Sequence, residues 1–381
     1  MANTPSVSIT ISKNNLLRNI PAIDGIAAFI GTGSTVGNLD KIFKVNSLED
    51  AVDQGITLAA EPAAYKVLRE FYQELGGNQE VILMLVANTV TMTAMLLHTD
   101  PTMAEKVITA GEGRISHLGV FRNPPVGYDP GEHFFDADVA TAVTAAKAFV
   151  ENQNTKLRFL RVLIEGRIAD EANTTIYAPN TASAGAAGVV LGDTVSGKGA
   201  AIGLALGRRM KYAAHIKLGK VANGPLTATA IYIGTKTLDN VTNLDTLHGK
   251  GVISFVTYPG KAGFYFGIDN MATNDDFRIL VHGSVIDAAA KVAASVYIDE
   301  LESEVDAEAD GSIKELNAKY LEDRMRQQAL VTLGERISDI DILVDRSVNI
   351  VTTSKTKIKI RVLPKGYNTW IEVDLGLTAS I

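Results

Sequence analysis

The chain opens on strict alternation. From Pro5 to Lys13, Val7, Ile9 and Ile11 fall on one side and Ser6, Ser8, Thr10 and Ser12 on the other, the period-two pattern of a half-buried strand. A strand at a chain end needs a partner sheet to hold it, and Asn14-Asn15 ends this one. From Ile20 to Asn154 helical and strand patterns then alternate. Ser47 caps a short helix with Glu49 and Asp50 in its first turn. Glu61 to Leu75 carries Ala64, Leu68, Phe71 and Leu75 at helical spacing and stops at Gly76-Gly77. Val81 to Ala87 is a continuous apolar run, the mark of a strand covered on both faces. Asp100-Pro101 starts another helix, Ile115 to Phe121 reads as a strand, Asp136 to Asn152 as an Ala-rich helix and Leu157 to Ile164 as a strand. This βα alternation predicts a layered α/β fold.

Beyond it, Ala182 to Gly207 is rich in small residues, with helix expected from near Lys198, and Thr229 to Ile233 and Val252 to Tyr258 read as strands. Ser284 to Glu304 and Ile313 to Leu333 are the longest helical patterns. In the second, Ile313, Leu316, Tyr320 and Val331 share one stripe, and Lys319, Glu322 and Arg326 lie opposite. After Gly334 the pattern turns to β, at Asp341 to Thr353, Thr356 to Leu363 and Thr369 to Leu377.

Composition narrows the classes. A length of 381 residues implies roughly two to three domains, and 46% hydrophobic with 21% charged residues excludes a largely disordered chain. A net charge of −7 argues against a nucleic-acid binder. With 0 Cys, disulfides and thiolate metal sites are excluded. Val81 to Ala87 falls far short of the roughly 18 apolar residues of a membrane span. Met1 to Ser12 lacks the basic and apolar regions of a signal peptide, so a soluble protein made without export is expected.

Candidate chemistry is sparse. Gly192 to Gly199 (GDTVSGKG) follows an apolar run and approaches the phosphate-loop pattern, but Gly199 stands where a hydroxyl would hold Mg²⁺. A nucleotide-dependent, P-loop-like enzyme is the alternative this motif supports. Gly31 to Gly37 departs from dinucleotide-binding spacing and reads as a loop. Asp306 to Ile313 resembles the start of a calcium loop, yet Asn317 stands where the bidentate Glu is needed. The six histidines include no i, i+4 pair. No catalytic, cofactor-binding or metal-ligating residue is assigned, and no enzyme activity or cofactor is expected.

The ends are more informative. Lys355 to Val362 places Ile358, Ile360 and Val362 on one face against Lys357, Lys359 and Arg361; Trp370 to Leu377 places Ile371, Val373 and Leu375 on one face against Glu372 and Asp374. One antiparallel register joins apolar to apolar while setting Arg361 opposite Glu372 and Lys359 opposite Asp374. That pairing is either a hairpin within the chain, turning at Pro364 to Asn368, or strand addition between subunits.

Across much of its length the sequence resembles the contractile tail sheath proteins of bacteriophages and phage-like injection systems. The resemblance lies in Phe43 to Gly55, Tyr65 to Val86 (YKVLREFYQELGGNQEVILMLV), Ala201 to Gly224, Gly263 to Val285 and Pro364 to Leu377. It implies an α/β fold with a discontinuous core domain: an N-terminal strand arm in residues 1–19 and a core with a C-terminal arm in residues 260–381, with an outer α/β domain inserted at 20–259. It implies a structural subunit that stacks as hexameric rings around an inner tube and contracts to drive the tube through an envelope. The strand arms would be Val7, Ile9, Ile11, Ile358, Ile360, Val362, Ile371, Val373 and Leu375, and Lys319 and Arg326 would face the tube. Partners would be further copies, a tail tube protein, and baseplate and tail-terminator proteins, with neither nucleic acid nor membrane insertion. The place would be a virion tail or phage-like particle assembled in the bacterial cytoplasm.

Overall fold

In the computed structural model, which describes residues 24–375, the apolar runs of the first two-thirds of the chain line up as one sheet. Its strands are β1 (Ile26–Thr32), β2 (Ile42–Val45), β3 (Val81–Val86), β4 (Ile115–Phe121), β5 (Arg161–Glu165) and β6 (Ala187–Val190). A small hairpin, β7 (Tyr232–Ile233) with β8 (Lys236–Thr237), precedes the seventh, β9 (Val252–Ile253). The order is β2-β3-β1-β4-β5-β6-β9, parallel except for β2 against β3. Every residue of β1, β3, β4 and β5 is buried, so both faces are covered, as the unbroken apolar runs require.

The covering helices are α1 (Leu48–Asp53), α2 (Pro62–Leu75), α3 (Met92–Met95), α4 (Ala104–Ala110), α5 (Ala137–Thr155), α6 (Ile202–Lys211) and α7 (Leu244–Gly249). Ser47 caps α1 by accepting the Asp50 N–H at 3.1 Å, and Gly76 ends α2 with φ 73°, where a side chain would be strained. Residues 100–103 form turns and α4 starts at Ala104. Leu157 turns at φ 57°, which delays β5 to Arg161. The glycines of α6 have a packing cause. A Cβ on Gly203 would lie 2.0 Å from the Val67 carbonyl oxygen, and one on Gly207 would lie 2.6 Å from that of Phe71. Two glycines four residues apart let α2 and α6 touch backbone to backbone.

The Val252 to Tyr258 run divides at Ser254 into β9 and β10 (Phe255–Val256), which pairs with β11 (Tyr265–Phe266). Then come α8 (Leu280–Ile298), α9 (Glu315–Leu333), β12 (Ile337–Asp345), α10 (Ile350–Thr353) and β13 (Lys357–Pro364). The last turns of the pattern are polar, and α8 ends at Ile298 rather than Glu304. A second core gathers Val285, Val292 and Val296 of α8, Met325, Ala329 and Leu333 of α9, and Ile337, Ile340 and Ile342 of β12.

One reading of this region needs correction, and one open alternative falls away. The stripe of α9 that faces the core is Ala318, Leu321, Met325, Ala329 and Leu333; Leu316 and Val331 are each 82% exposed. α9 carries apolar residues on two sides, and the longer stripe is the one that packs on α8 and β12. Within the chain, β13 pairs with β12, not with residues 370–375: Ile340 faces Val362, Ile342 faces Ile360 and Val344 faces Ile358. β12 offers β13 the same apolar match and two opposite charges, Asp341↔Arg361 and Asp345↔Lys357, with Leu343 opposite Lys359, while residues 365–375 join no strand.

A polar seam joins the two cores at the amino ends of the parallel strands. Arg161 at the start of β5 grips Asp287 of α8 through two bonds of 2.6 Å and donates to the carbonyls of Gly185 and Gly283. His117 of β4 lies between the hydroxyls of Ser116 (3.0 Å) and Ser284 (3.1 Å). Asp24 holds Arg336 at 2.7 and 3.1 Å.

Candidate functional site

Open parallel sheets bind ligands at the carboxyl ends of their strands, so that edge is the first place to look for chemistry. It presents three groups of backbone N–H donors, and each is occupied by a carboxylate of the chain. After β1, the N–H groups of Ser34 and Thr35 donate to buried Glu61 at 2.7 and 3.0 Å. After β3, those of Met92 and Thr93 donate to Asp138 at 2.6 and 3.1 Å. Beyond β4 and before α6, those of Arg122 and Ala200 donate to Glu165 at 2.8 and 3.1 Å. Burial raises the Glu165 pKa, against the pull of Arg167 and of these two N–H donors.

The glycine-rich Gly192–Gly199 loop sits against the same edge. Lys198 donates to the Ala169 carbonyl at 2.9 Å, so its ammonium is turned onto the main chain. A Cβ on Gly199 would meet the carboxylates of Glu165 and Asp193 at 2.9 and 3.0 Å. Lys66 reaches Asp193 at 2.5 Å and Glu70 at 3.0 Å. Burial alone would lower the Lys66 pKa, but these two carboxylates outweigh it and hold it above the ordinary lysine value. A phosphate placed here would meet negative charge, and the N–H that would receive it, Ala200, already serves Glu165. The acidic Asp306 to Ile313 segment is a turn tied to its own neighbours, with Asp306, Glu308 and Asp310 exposed: Ala307 bridges to Ile313, Asp306 pairs with Lys314, and Asn349 donates to the Asp310 carbonyl.

The other candidate is the β12–β13 sheet. Ile358, Ile360 and Val362 are half-buried against the second core, and Lys357, Lys359 and Arg361 point outward. β12 is the only strand hydrogen-bonded to β13 among the described residues, so one edge of β13 is open. Beside that edge runs an apolar groove of about 560 Å³, lined by Phe159, Ala290, Ala293, Ala294 and Ile298 as well as Ile360 and Val362. Ile371, Val373 and Leu375 are 76%, 78% and 91% exposed and unpaired with β13. Lys319 is exposed on α9 and bonded to Glu322, and Arg326 is half-buried about two turns beyond Lys319. Val7, Ile9 and Ile11 lie outside the described residues.

Sequence reasoning missed the long-range pairs: Glu61 onto the β1 loop, Arg161 to Asp287, and Asp24 to Arg336. Nothing local marks them, because the partners stand 27 to 312 residues apart.

Two family models together span this architecture: "DUF2586, N-terminal domain" matches residues 4–270 and "DUF2586, C-terminal domain" residues 276–381. The chain belongs to the DUF2586 family. No curated protein matches the sequence. Among solved structures, a chain of the anti-feeding prophage baseplate, six-fold symmetrised, is 13% identical with a TM-score of 0.63, covering 99% of this chain and 100% of that one. The helical sheath of the same particle in its contracted state is 14% identical, TM-score 0.63, covering 99% of each chain. The sheath tail protein of Desulfitobacterium hafniense is 11% identical, TM-score 0.52, covering 94% of this chain and 100% of that one. The α/β fold of this family is thus the fold of contractile sheath proteins. Among the described residues, no helix is long and apolar enough to cross a membrane.

Proposed function

We propose that this protein is the structural subunit of a contractile sheath, in which copies link to one another by exchanging terminal strands. The observation that carries the reading is the unpaired segment at Ile371–Leu375 in a chain whose own β13 keeps an open, matching edge. In antiparallel register Ile371, Val373 and Leu375 would meet Val362, Ile360 and Ile358, and Glu372 and Asp374 would meet Arg361 and Lys359. The chain does not satisfy this match itself, because Tyr367 donates to the His215 carbonyl at 2.6 Å and holds the intervening segment on the first core. A neighbour's segment on the β13 edge would extend the sheet over the groove at Ala290–Ile298. The alternating Val7, Ile9 and Ile11 would serve the same way from the other end.

On this reading, residues 1–19 and 260–381 belong to one core domain and residues 20–259 to an outer one. Rings of six stack around an inner tube, and an extended lattice contracts as whole bodies shift while the strand links hold. Baseplate and tail-terminator proteins bind the two ends of the lattice, in a virion tail or phage-like particle assembled in the bacterial cytoplasm. Lys319 and Arg326 face the tube, where complementary charge sets register more than affinity. The work needs no catalysis, nucleic acid or membrane insertion, because the energy resides in the assembled state. The carboxylate-filled sheet edge favours this over a nucleotide-dependent enzyme.

Negative-stain microscopy of the purified chain tests the proposal. Full-length protein should form tubes, and chains lacking residues 1–13 or 370–381 should stay folded and unassembled. Exchanging charge at Lys359→Glu and Arg361→Glu should block assembly, and Glu372→Lys with Asp374→Lys should restore it. Tubes from either truncated chain would overturn the strand-exchange reading.

A further inference from the structure

We infer that the loop Ala213–Lys217, which follows α6, is a common anchor that couples the roots of the two chain ends. Consecutive groups of this loop are committed to opposite ends of the sequence. The Ala214 N–H donates to the Asp24 carboxylate at 3.0 Å, while the His215 carbonyl accepts the Tyr367 hydroxyl at 2.6 Å. Lys217 lies 3.4 Å from Thr369 Oγ1 and 5.6 Å from the centre of the Tyr367 ring. Asp24 and Thr369 therefore meet the molecule within four residues of one another on the same loop.

The loop is itself held rigidly from beneath. Arg209 of α6, 1% exposed, donates to the carbonyls of Tyr212 at 2.6 Å and Ile216 at 3.0 Å, one on each side of the anchor points. Lys217 also lies 3.4 Å from fully buried Asp269. Asp24 is fixed on its other side by Arg336, and its main-chain carbonyl accepts from Ser116 at 2.5 Å. A loop that served packing alone would spend its polar groups locally or on water. Here they form a short polar bridge from one chain end to the other. Displacing Asp24 pulls on the Ala214 peptide, and the next peptide carries that displacement to Tyr367.

The inference gains its purpose from the strand-exchange proposal, since ends that grip neighbours carry load, but its test does not depend on that proposal. Trp370 is the single tryptophan of the chain and directly follows Thr369, so its fluorescence reports the C-terminal root without labelling. Time-resolved anisotropy of Trp370 is measured on unassembled full-length protein for wild type, Asp24→Ala, Tyr367→Phe and Arg158→Gln. Arg158 pairs with Glu105 of α4. Tyr367→Phe should increase the amplitude of fast local motion, and Asp24→Ala, which removes the acceptor of the Ala214 N–H, should reproduce at least half of that increase across the molecule. Arg158→Gln should not change it. Hydrogen exchange read in the opposite direction should show faster exchange at residues 24–27 in Tyr367→Phe, a variant that removes one hydroxyl and spares the ring. Unchanged Trp370 motion in Asp24→Ala with unchanged exchange at residues 24–27 in Tyr367→Phe overturns the coupling. Tube formation by truncated chains would overturn strand exchange and leave this result standing.

Discussion

Acid should weaken the seam between the two cores through His117, and the slope follows from its surroundings. The imidazole is 3% exposed. Ser116 already gives its hydroxyl proton to the Asp24 carbonyl at 2.5 Å, so it can only accept from Nδ1–H. Ser284 Oγ lies 3.1 Å from Nε2 and 3.0 Å from the Leu280 carbonyl, so its proton can serve either one. What opposes a second proton on the ring is its burial and the charge around it. Burial, then the positive charges of Arg209, Lys291 and Arg161, hold the His117 pKa well below its ordinary 6.5. Asp287 lies nearby, but Arg161 occupies it. In the unfolded chain the ring takes up a proton near pH 6.5, whereas the folded chain refuses it, so the unfolded state binds more protons and stability falls with acid. The contribution is complete above pH 6.5 and is lost by about 1.4 kcal/mol per pH unit until the folded pKa is reached. Urea unfolding of wild type and His117→Gln at half-unit steps from pH 7.5 to 4.5 measures it. Gln keeps a donor and an acceptor but does not titrate. The difference between the two curves should have that slope below pH 6.5, with His215 and His248 cancelling because both proteins contain them. Parallel curves would refute the reasoning.

Gly203→Ala should cost about 1–3 kcal/mol in urea unfolding, because its Cβ would meet the Val67 carbonyl at 2.0 Å and force α2 and α6 apart. Asp287→Asn should cost about 3–5 kcal/mol by leaving the Arg161 guanidinium buried without its anion; a loss under 1 kcal/mol would mean the seam is solvated. Arg336, outweighing the upward push of burial, holds Asp24 below its ordinary 3.8, so that clamp should persist above this pH and be lost as pH falls below it; the wild-type minus Asp24→Asn stability difference, followed by urea unfolding, should shrink only there. ATP should show no micromolar binding by calorimetry to wild type or Lys198→Ala, given where Lys198 is turned.

The parts of the fold written in local pattern were legible. Unbroken apolar runs such as Val81–Val86 can only be strands covered twice, and the Ser47 cap and Gly76 stop mark helix ends through groups a few residues apart. What stayed open was a choice between similar partners. Lys357–Val362 matches the apolar faces of both β12 and residues 370–375, and within the chain it meets β12. The α9 face was misread for a related reason: Leu316, Tyr320 and Val331 form one apolar stripe, but Ala318, Leu321, Met325, Ala329 and Leu333 form a longer one, and the core receives the longer. The near-phosphate loop was legible as an imperfect motif. That Glu165 stands in the anion's place was not, because a carboxylate tens of residues away leaves no mark on the loop.

The open edge of β13 has a further property. An exposed strand edge invites the same strand of another molecule, the commonest route from a soluble monomer to an aggregate. Here Lys357, Lys359 and Arg361 all project to one side, so two such edges laid together would bring cation against cation along their whole length, and like charges facing across strands repel. Under the proposed strand exchange, the strand that would accept a segment bearing Glu372 and Asp374 is thereby set against pairing with its own copy, so the charge that welcomes the right visitor also turns away a twin.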